Sequence, residues 1–276
     1  MYPDIPQYYY ITPEELGKNA RIPLLKLNDF GEIFSEYAIQ MLFEIEKNNQ
    51  IGKKTVFILP CGPVGQYPIF ARLINQRRTD LKNTWFINMD ELLTDDGEWI
   101  DQDDPKSFHR LMNINLYSQL DPELVMPEEQ RVFPDPHNPD AIMRLIDRLG
   151  GVDMVMGGIA LNGHIAFNEP QPELTPEEFA QLTTRIISLS EATILKNAIL
   201  DLGGAYDIFP RKAISVGMKE MLGAKRLLFS MTMDMQRATV RHALYGEVSA
   251  SFPITLIQRH PNALLMVTKN VTQLPF

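Results

Sequence analysis

Basic charge is scarce in this sequence. Its 26 Lys and Arg are outnumbered by 35 Asp and Glu, giving a formal net charge of −9 at pH 7, and no local Lys/Arg run offsets the balance. A protein that tracks nucleic-acid phosphates depends on clustered cations to release counterions, so no nucleic-acid partner is expected, whereas a pocket for one small anion stays open. Cysteine is nearly absent. Cys61 stands alone, so no internal disulfide can form, which fits a reducing compartment. Long apolar runs are also missing: VDMVMGGIAL (152–161) is about half of a membrane span and is interrupted by Asp153. The start, MYPDIPQYYY, has Asp4 and two prolines where a targeting peptide needs a basic start and an apolar core. The expectation is a cytoplasmic protein with no membrane partner. No Gly/Ser-rich linker and no internal repeat marks a boundary, so residues 1–276 are expected to form a single α/β domain.

What is present is a globular composition, 45% hydrophobic and 22% charged. At this length roughly three quarters of the unfolded surface is buried, so no disulfide or metal staple is needed for folding. Apolar, β-branched runs bounded by turn residues recur at 55–60, 84–89, 152–159, 212–217, 226–231 and 263–268, and predict buried parallel strands. Helix-period segments lie between them, at 30–49, about 65–77, 139–151, 190–204 and 235–247, with TTRIISL (183–189) strand-like before the fourth. Asn28 and Asp29 signal the start of the first helix, Ser190 starts the fourth, and Gly203-Gly204 ends it. Alternating strands and helices imply right-handed crossovers, hence a three-layer α/β sandwich around a doubly wound, mostly parallel, Rossmann-like sheet. Two acidic, Pro-bearing insertions, 93–107 and 169–181, are candidates for the mouth of a pocket.

Ligand sites in such folds lie beyond the carboxyl ends of strands. The strand VDMVMGGI runs directly into ALNGHIAFNEP (160–170), which places Asn162, His164 and Glu169 at such an end. Asn162 and Glu169 can each bond an imidazole nitrogen and fix its tautomer, as an acid/base histidine requires. Gly157, Gly158 and Gly163 remove side chains that would keep a ligand from the backbone. The strand WFINM ends on Asp90-Glu91, and a partly desolvated carboxylate there is placed to act as a general base. The turn CGPVG (61–65), between a strand and a helix, resembles a phosphate cradle but is compromised by Pro63, which has no N–H, and by Val64, which has no hydroxyl. Cys61 within it reads as a small core residue. His109, His137, His242 and His260 form no metal-ligand pair, and the run Asp95, Asp96, Asp101, Asp103, Asp104 lacks the ligand spacing of an EF-hand.

Taken together and in order, INMDE, DPKSFHRLMNINLY (104–117), MGGIALNGHIAFNEP, AISVGMKEML (213–222) and ITLIQRHPNALLMV (254–267) resemble the glucosamine-6-phosphate deaminase branch of the glucosamine-6-phosphate isomerase and 6-phosphogluconolactonase superfamily. The likeness spans roughly residues 30 to 270. It implies that Asp90 moves a proton from C2 to C1 of an open-chain amino sugar, and that His164, oriented by Glu169 and Asn162, opens the pyranose ring. It also implies loss of ammonia from C2, no cofactor and no metal. Cys61, Gly62, Glu91, Gly158, Ala160 and Gln236 fall at matching positions and, with Arg237 beside Gln236, are candidates for binding the sugar or sugar phosphate. The resemblance leaves room for a homo-oligomer.

The sequence also departs from the pattern. Asn162 stands where many deaminases have Asp, and Ala160 replaces a glycine. The family's lysine before the last large helix aligns with Gln236, and an arginine of the helix after the signature falls at Ile199, so recognition of a terminal phosphate is expected to be altered or lost. Arg237 is the candidate to compensate. The alternatives are a lactone hydrolase, in which His164 activates water, and a sugar-binding regulator without turnover.

Overall fold

The computed structural model describes residues 5–276; residues 1–4, and with them Asp4 of the N-terminal reading, lie outside it. The strands are β1 (Leu24–Leu27), β2 (Thr55–Leu59), β3 (Thr84–Asn88), β4 (Asp90–Leu93), β5 (Arg131–Val132), β6 (Met154–Gly158), β7 (Arg185–Ser188), β8 (Lys212–Ser215), β9 (Leu227–Met231) and β10 (Ala263–Thr268). The helices are α1 (Phe30–Gln50), α2 (Gln66–Arg77), α3 (Phe108–Asn115), α4 (Ala141–Leu149), α5 (Pro176–Ala180), α6 (Glu191–Leu202), α7 (Met218–Leu222) and α8 (Arg237–Tyr245). Seven strands form a parallel sheet in the order β1-β10-β9-β6-β2-β3-β5, the expected doubly wound arrangement.

The central strands are buried along nearly their whole length and mostly apolar because both faces are covered. In β2, Val56 and Ile58 enter the apolar cluster on one side, which they share with Ile87, Val155 and Phe229. Phe57 and Leu59 alternate into the cluster on the other side, with Phe86, Met154, Met156 and residues of α1 and α2. The helix ends follow local chemistry. Asp29 accepts from the Glu32 N–H at 3.0 Å while Glu32 accepts from the Asn28 N–H at 2.8 Å, which caps α1. Ser190 caps α6, and Gly203 closes it at φ 60°. Asp153, which breaks the longest apolar run, is paired with Lys53 at 2.5 Å and Lys225 at 2.8 Å.

One strand departs from expectation. Residues 212–215 do not join the parallel sheet; β8 sits between β4 and β7 in a small antiparallel sheet, with Asp90 opposite Ser215. The chain passes from β3 into β4 through Met89, whose N–H donates to the Leu59 carbonyl and whose carbonyl accepts from Val216, both at 2.8 Å. Asp90 is therefore the first residue of a second strand and not the solvated end of the first. Chain order along the large sheet reverses between β2, which leads outward to β3 and β5, and β6, which leads the other way to β9 and β10. A doubly wound sheet opens a crevice at such a reversal.

Candidate active site

The loops that follow β2 and β6 meet at this crevice, and with residues after β3 and β9 they line a cleft of about 380 Å³. Small-molecule sites usually occupy about 300–1,000 Å³. Asp90 and His164, named from separate segments, both line it, as do Cys61, Gly62, Gly158, Ala160 and Gln236.

Asp90 is buried, and its carboxylate accepts from the Ser215 hydroxyl, its cross-strand neighbour. Burial raises its pKa to about 7, and the hydrogen bonds from Ser215 and the Phe167 N–H work against that rise. Phe167 is presented by a local distortion. Ala166 adopts φ 55°, a left-handed conformation that costs an ordinary residue about 1–2 kcal/mol. The turn aims the Phe167 N–H at the Ser215 hydroxyl, 3.0 Å away.

His164 is held from behind. Its Nδ1 lies 3.2 Å from Glu169 Oε2 and 3.3 Å from Thr193 Oγ1, which leaves Nε2 for a ligand. Glu169 also accepts from Asn162 Nδ2 at 2.8 Å and from the Ser190 N–H at 3.2 Å. Burial opposes its charge, but the bonds from His164, Thr193 and Ser190 outweigh that and hold its pKa near 2. Asn162 does not touch the imidazole as expected. It orients Glu169 and accepts from the His164 backbone N–H at 3.3 Å.

Other expectations need correction. Glu91 cannot bind a substrate: it is fully buried, and its oxygens accept from the Phe108 N–H at 2.9 Å, the His109 N–H at 2.8 Å and the Ser107 hydroxyl at 3.2 Å, with His109 Nδ1 at 2.5 Å. It satisfies the free amides at the start of α3, where a carboxylate is favoured. Arg237 points away from the cleft, to the Asn270 carbonyl at 3.1 Å and Asp234 at 2.8 Å. Gln236 lines the cleft, and its amide is anchored there: Oε1 accepts from the Thr232 and Met233 N–H groups at 2.8 Å, and one N–H of Nε2 donates to the Ile159 carbonyl. Gly163 is required by φ 78° and by Phe252, which a Cβ would meet at 2.8 Å, and not by ligand approach. Neither acidic insertion lines the cleft.

The wall those insertions were expected to form is α6. Thr193, Lys196, Asn197, Leu200 and Asp201 recur at i, i+3, i+4, i+7 and i+8, one stripe of the helix. Thr193 touches His164, and the other four line the cleft. Ile199, where a cation was sought by alignment, lies off the stripe and is 57% exposed. Lys196, Asn197, Asp201 and Ser215 were missed from sequence, although the helical period of α6, once anchored at Thr193, identifies the first three.

Cys61 is 2% exposed, and its Sγ lies 3.5 Å from the Asp90 carbonyl. Burial, reinforced by Asp90, pushes the thiol well above its ordinary pKa. Iodoacetamide at pH 7.5 is therefore expected to leave Cys61 of the native protein unmodified over hours by mass spectrometry; rapid alkylation would contradict this environment. Among the described residues no cluster of three or more His, Cys, Asp or Glu is arranged to hold a metal, and no helix is long and apolar enough to cross a membrane.

Comparison with known proteins gives no matching family model. A glucosamine-6-phosphate deaminase of Lachnoclostridium phytofermentans is 31% identical over 211 residues, covering 72% of this chain and 80% of that protein. One from Halothermothrix orenii is 29% identical over 218 residues, 77% and 83% of the respective chains. The fold is similar to that of a monomeric glucosamine-6-phosphate deaminase, with a TM-score of 0.78 at 24% identity over 90% of this chain and 98% of the other. It is also similar to a 6-phosphogluconolactonase from Trypanosoma cruzi, with a TM-score of 0.66 at 13% identity over 90% and 94%.

Proposed function

Because the chain belongs to the glucosamine-6-phosphate deaminase family, we propose that it is an enzyme converting an amino sugar, or its phosphate ester, to a ketose with release of ammonia. The observation that carries this reading is the pairing, in one cleft, of a buried carboxyl whose pKa is about 7 with a histidine oriented by a carboxylate. His164 Nε2 moves protons between the ring oxygen and the anomeric hydroxyl, which opens the pyranose. Ionised Asp90 then takes the proton from C2, leaving an enolamine, and returns it at C1. The imine left at C2 adds water and expels ammonia. A short carboxylate held by Ser215 reaches two neighbouring carbons on one face of the sugar with little movement.

Lactone hydrolysis would employ His164 and leave Asp90 without a proton to transfer. Incubation with glucosamine 6-phosphate, glucosamine, galactosamine 6-phosphate and 6-phosphogluconolactone separates the readings. Ammonia and ketose from a hexosamine are expected; acid from the lactone alone would overturn the proposal.

A base must be ionised to act, so kcat/KM is expected to rise about tenfold per pH unit below the Asp90 pKa near 7 and to level off above it. The hydroxyl of Ser215 favours the ionised form, so Ser215→Ala is expected to move this rise to higher pH. A profile flat from pH 5 to 7, or one unmoved in Ser215→Ala, would assign the limb to another group.

A further inference from the structure

We propose that Lys196, on the stripe of α6 that faces the cleft, is the specificity-determining residue that binds the anionic group of the substrate. This rests on the amino-sugar reading above but adds a residue that the alignment with the family's motifs does not point to. Among the described residues it is the one Lys or Arg side chain in the cleft lining. The two places where the family's pattern has a cation do not supply one here: Gln236 is uncharged, and Ile199 is apolar and faces solvent. Arg237, beside Gln236, is committed to Asp234 and Asn270.

Lys196 follows one helical turn after Thr193, which bonds His164, and Lys196 and His164 line the same cleft. The site is half-buried, and desolvation works against the ammonium, with Asp201 and Glu169 supporting it from beyond ion-pair distance. A cation in that setting gains from a bound anion what no protein carboxylate at contact supplies. Asn197, the adjacent buried residue of the stripe, presents an amide to sugar hydroxyls. Asp201, two turns beyond Thr193 and also in the lining, repels the same anion and so limits how tightly it is held.

The test is a comparison of glucosamine 6-phosphate with unphosphorylated glucosamine in the wild type, Lys196→Met, Lys196→Arg and Asp201→Asn. Lys196→Met is expected to raise KM for the phosphorylated sugar roughly 10- to 100-fold, consistent with loss of one charge-assisted hydrogen bond, while changing KM for glucosamine less than twofold. Lys196→Arg should restore most of the affinity, and Asp201→Asn should lower KM for the phosphorylated sugar. Equal effects of Lys196→Met on both sugars, or a wild type that prefers the neutral one, would overturn the assignment. Calorimetric binding of glucosamine 6-phosphate reads the same contact without turnover. If the wild type exchanges no C2 proton with any hexosamine, the catalytic reading fails, while a Lys196-dependent binding constant still decides the anion site.

Discussion

Asp90→Asn is expected to lower kcat/KM on the order of a thousandfold and to abolish exchange of the substrate's C2 proton with deuterated solvent, the cost of removing a positioned general base. The same substitution should stabilise the fold at pH 8. A carboxyl whose pKa is raised on folding, here from an ordinary 3.8 to about 7, contributes its full stability below pH 4 and loses it as pH rises through 7. Above that, an ionised Asp90 costs the folded state on the order of a few kcal/mol relative to an unperturbed carboxylate. Asparagine keeps the shape and an acceptor for Ser215 without the charge. Activity down and melting temperature up, both measured at pH 8, is the expected pair of results. A variant that retains proton exchange would dismiss Asp90 as the base, and one that melts markedly lower would dismiss the burial cost assigned to it.

The second large effect belongs to His164. His164→Gln is expected to reduce turnover of a cyclic hexosamine about 100- to 1,000-fold, since the ring must open before C2 can be deprotonated. An amino aldose methylated at both O4 and O5 can close neither the furanose nor the pyranose and bypasses the step, so its C2 exchange should fall less than tenfold in the same variant. Equal losses on the two compounds would place His164 in the proton transfer at carbon instead. Glu169→Gln removes the charge behind Nδ1 while preserving packing, and its smaller loss, about tenfold to 100-fold in kcat, should again be confined to cyclic substrates.

The central strands were legible because burial on both faces writes itself into a run such as TVFIL, four consecutive apolar residues after a threonine whose hydroxyl is satisfied by Asn48. Helix ends were legible for a similar reason: Asp29, Ser190 and Gly203 act on backbone atoms within a few residues of themselves. The antiparallel sheet was not. Its strands are four residues long and join segments as distant as Asp90 and Ser215, so their pairing depends on tertiary placement that no local period records. Glu91 shows the same limit at one residue. Next to Asp90 in sequence, it faces the opposite side of β4, and only the arrival of α3 decides what it bonds. His164 and Glu169 were legible as a pair because one loop carries both. Lys196 was missed because linear alignment counts positions, whereas the cleft sees only one stripe of α6.

That helix carries a hydroxyl that bonds the imidazole of His164 and, three residues later, the lysine that lines the cleft. Both are mounted on one rigid rod, so any backbone displacement that retunes affinity also disturbs the proton relay, where an error of 1 Å can cost about 100-fold in rate. Divergence in sugar preference along this lineage therefore has an economical route through side-chain replacement at 196, 197, 200 and 201, and a costly one through insertions that shift the rod itself.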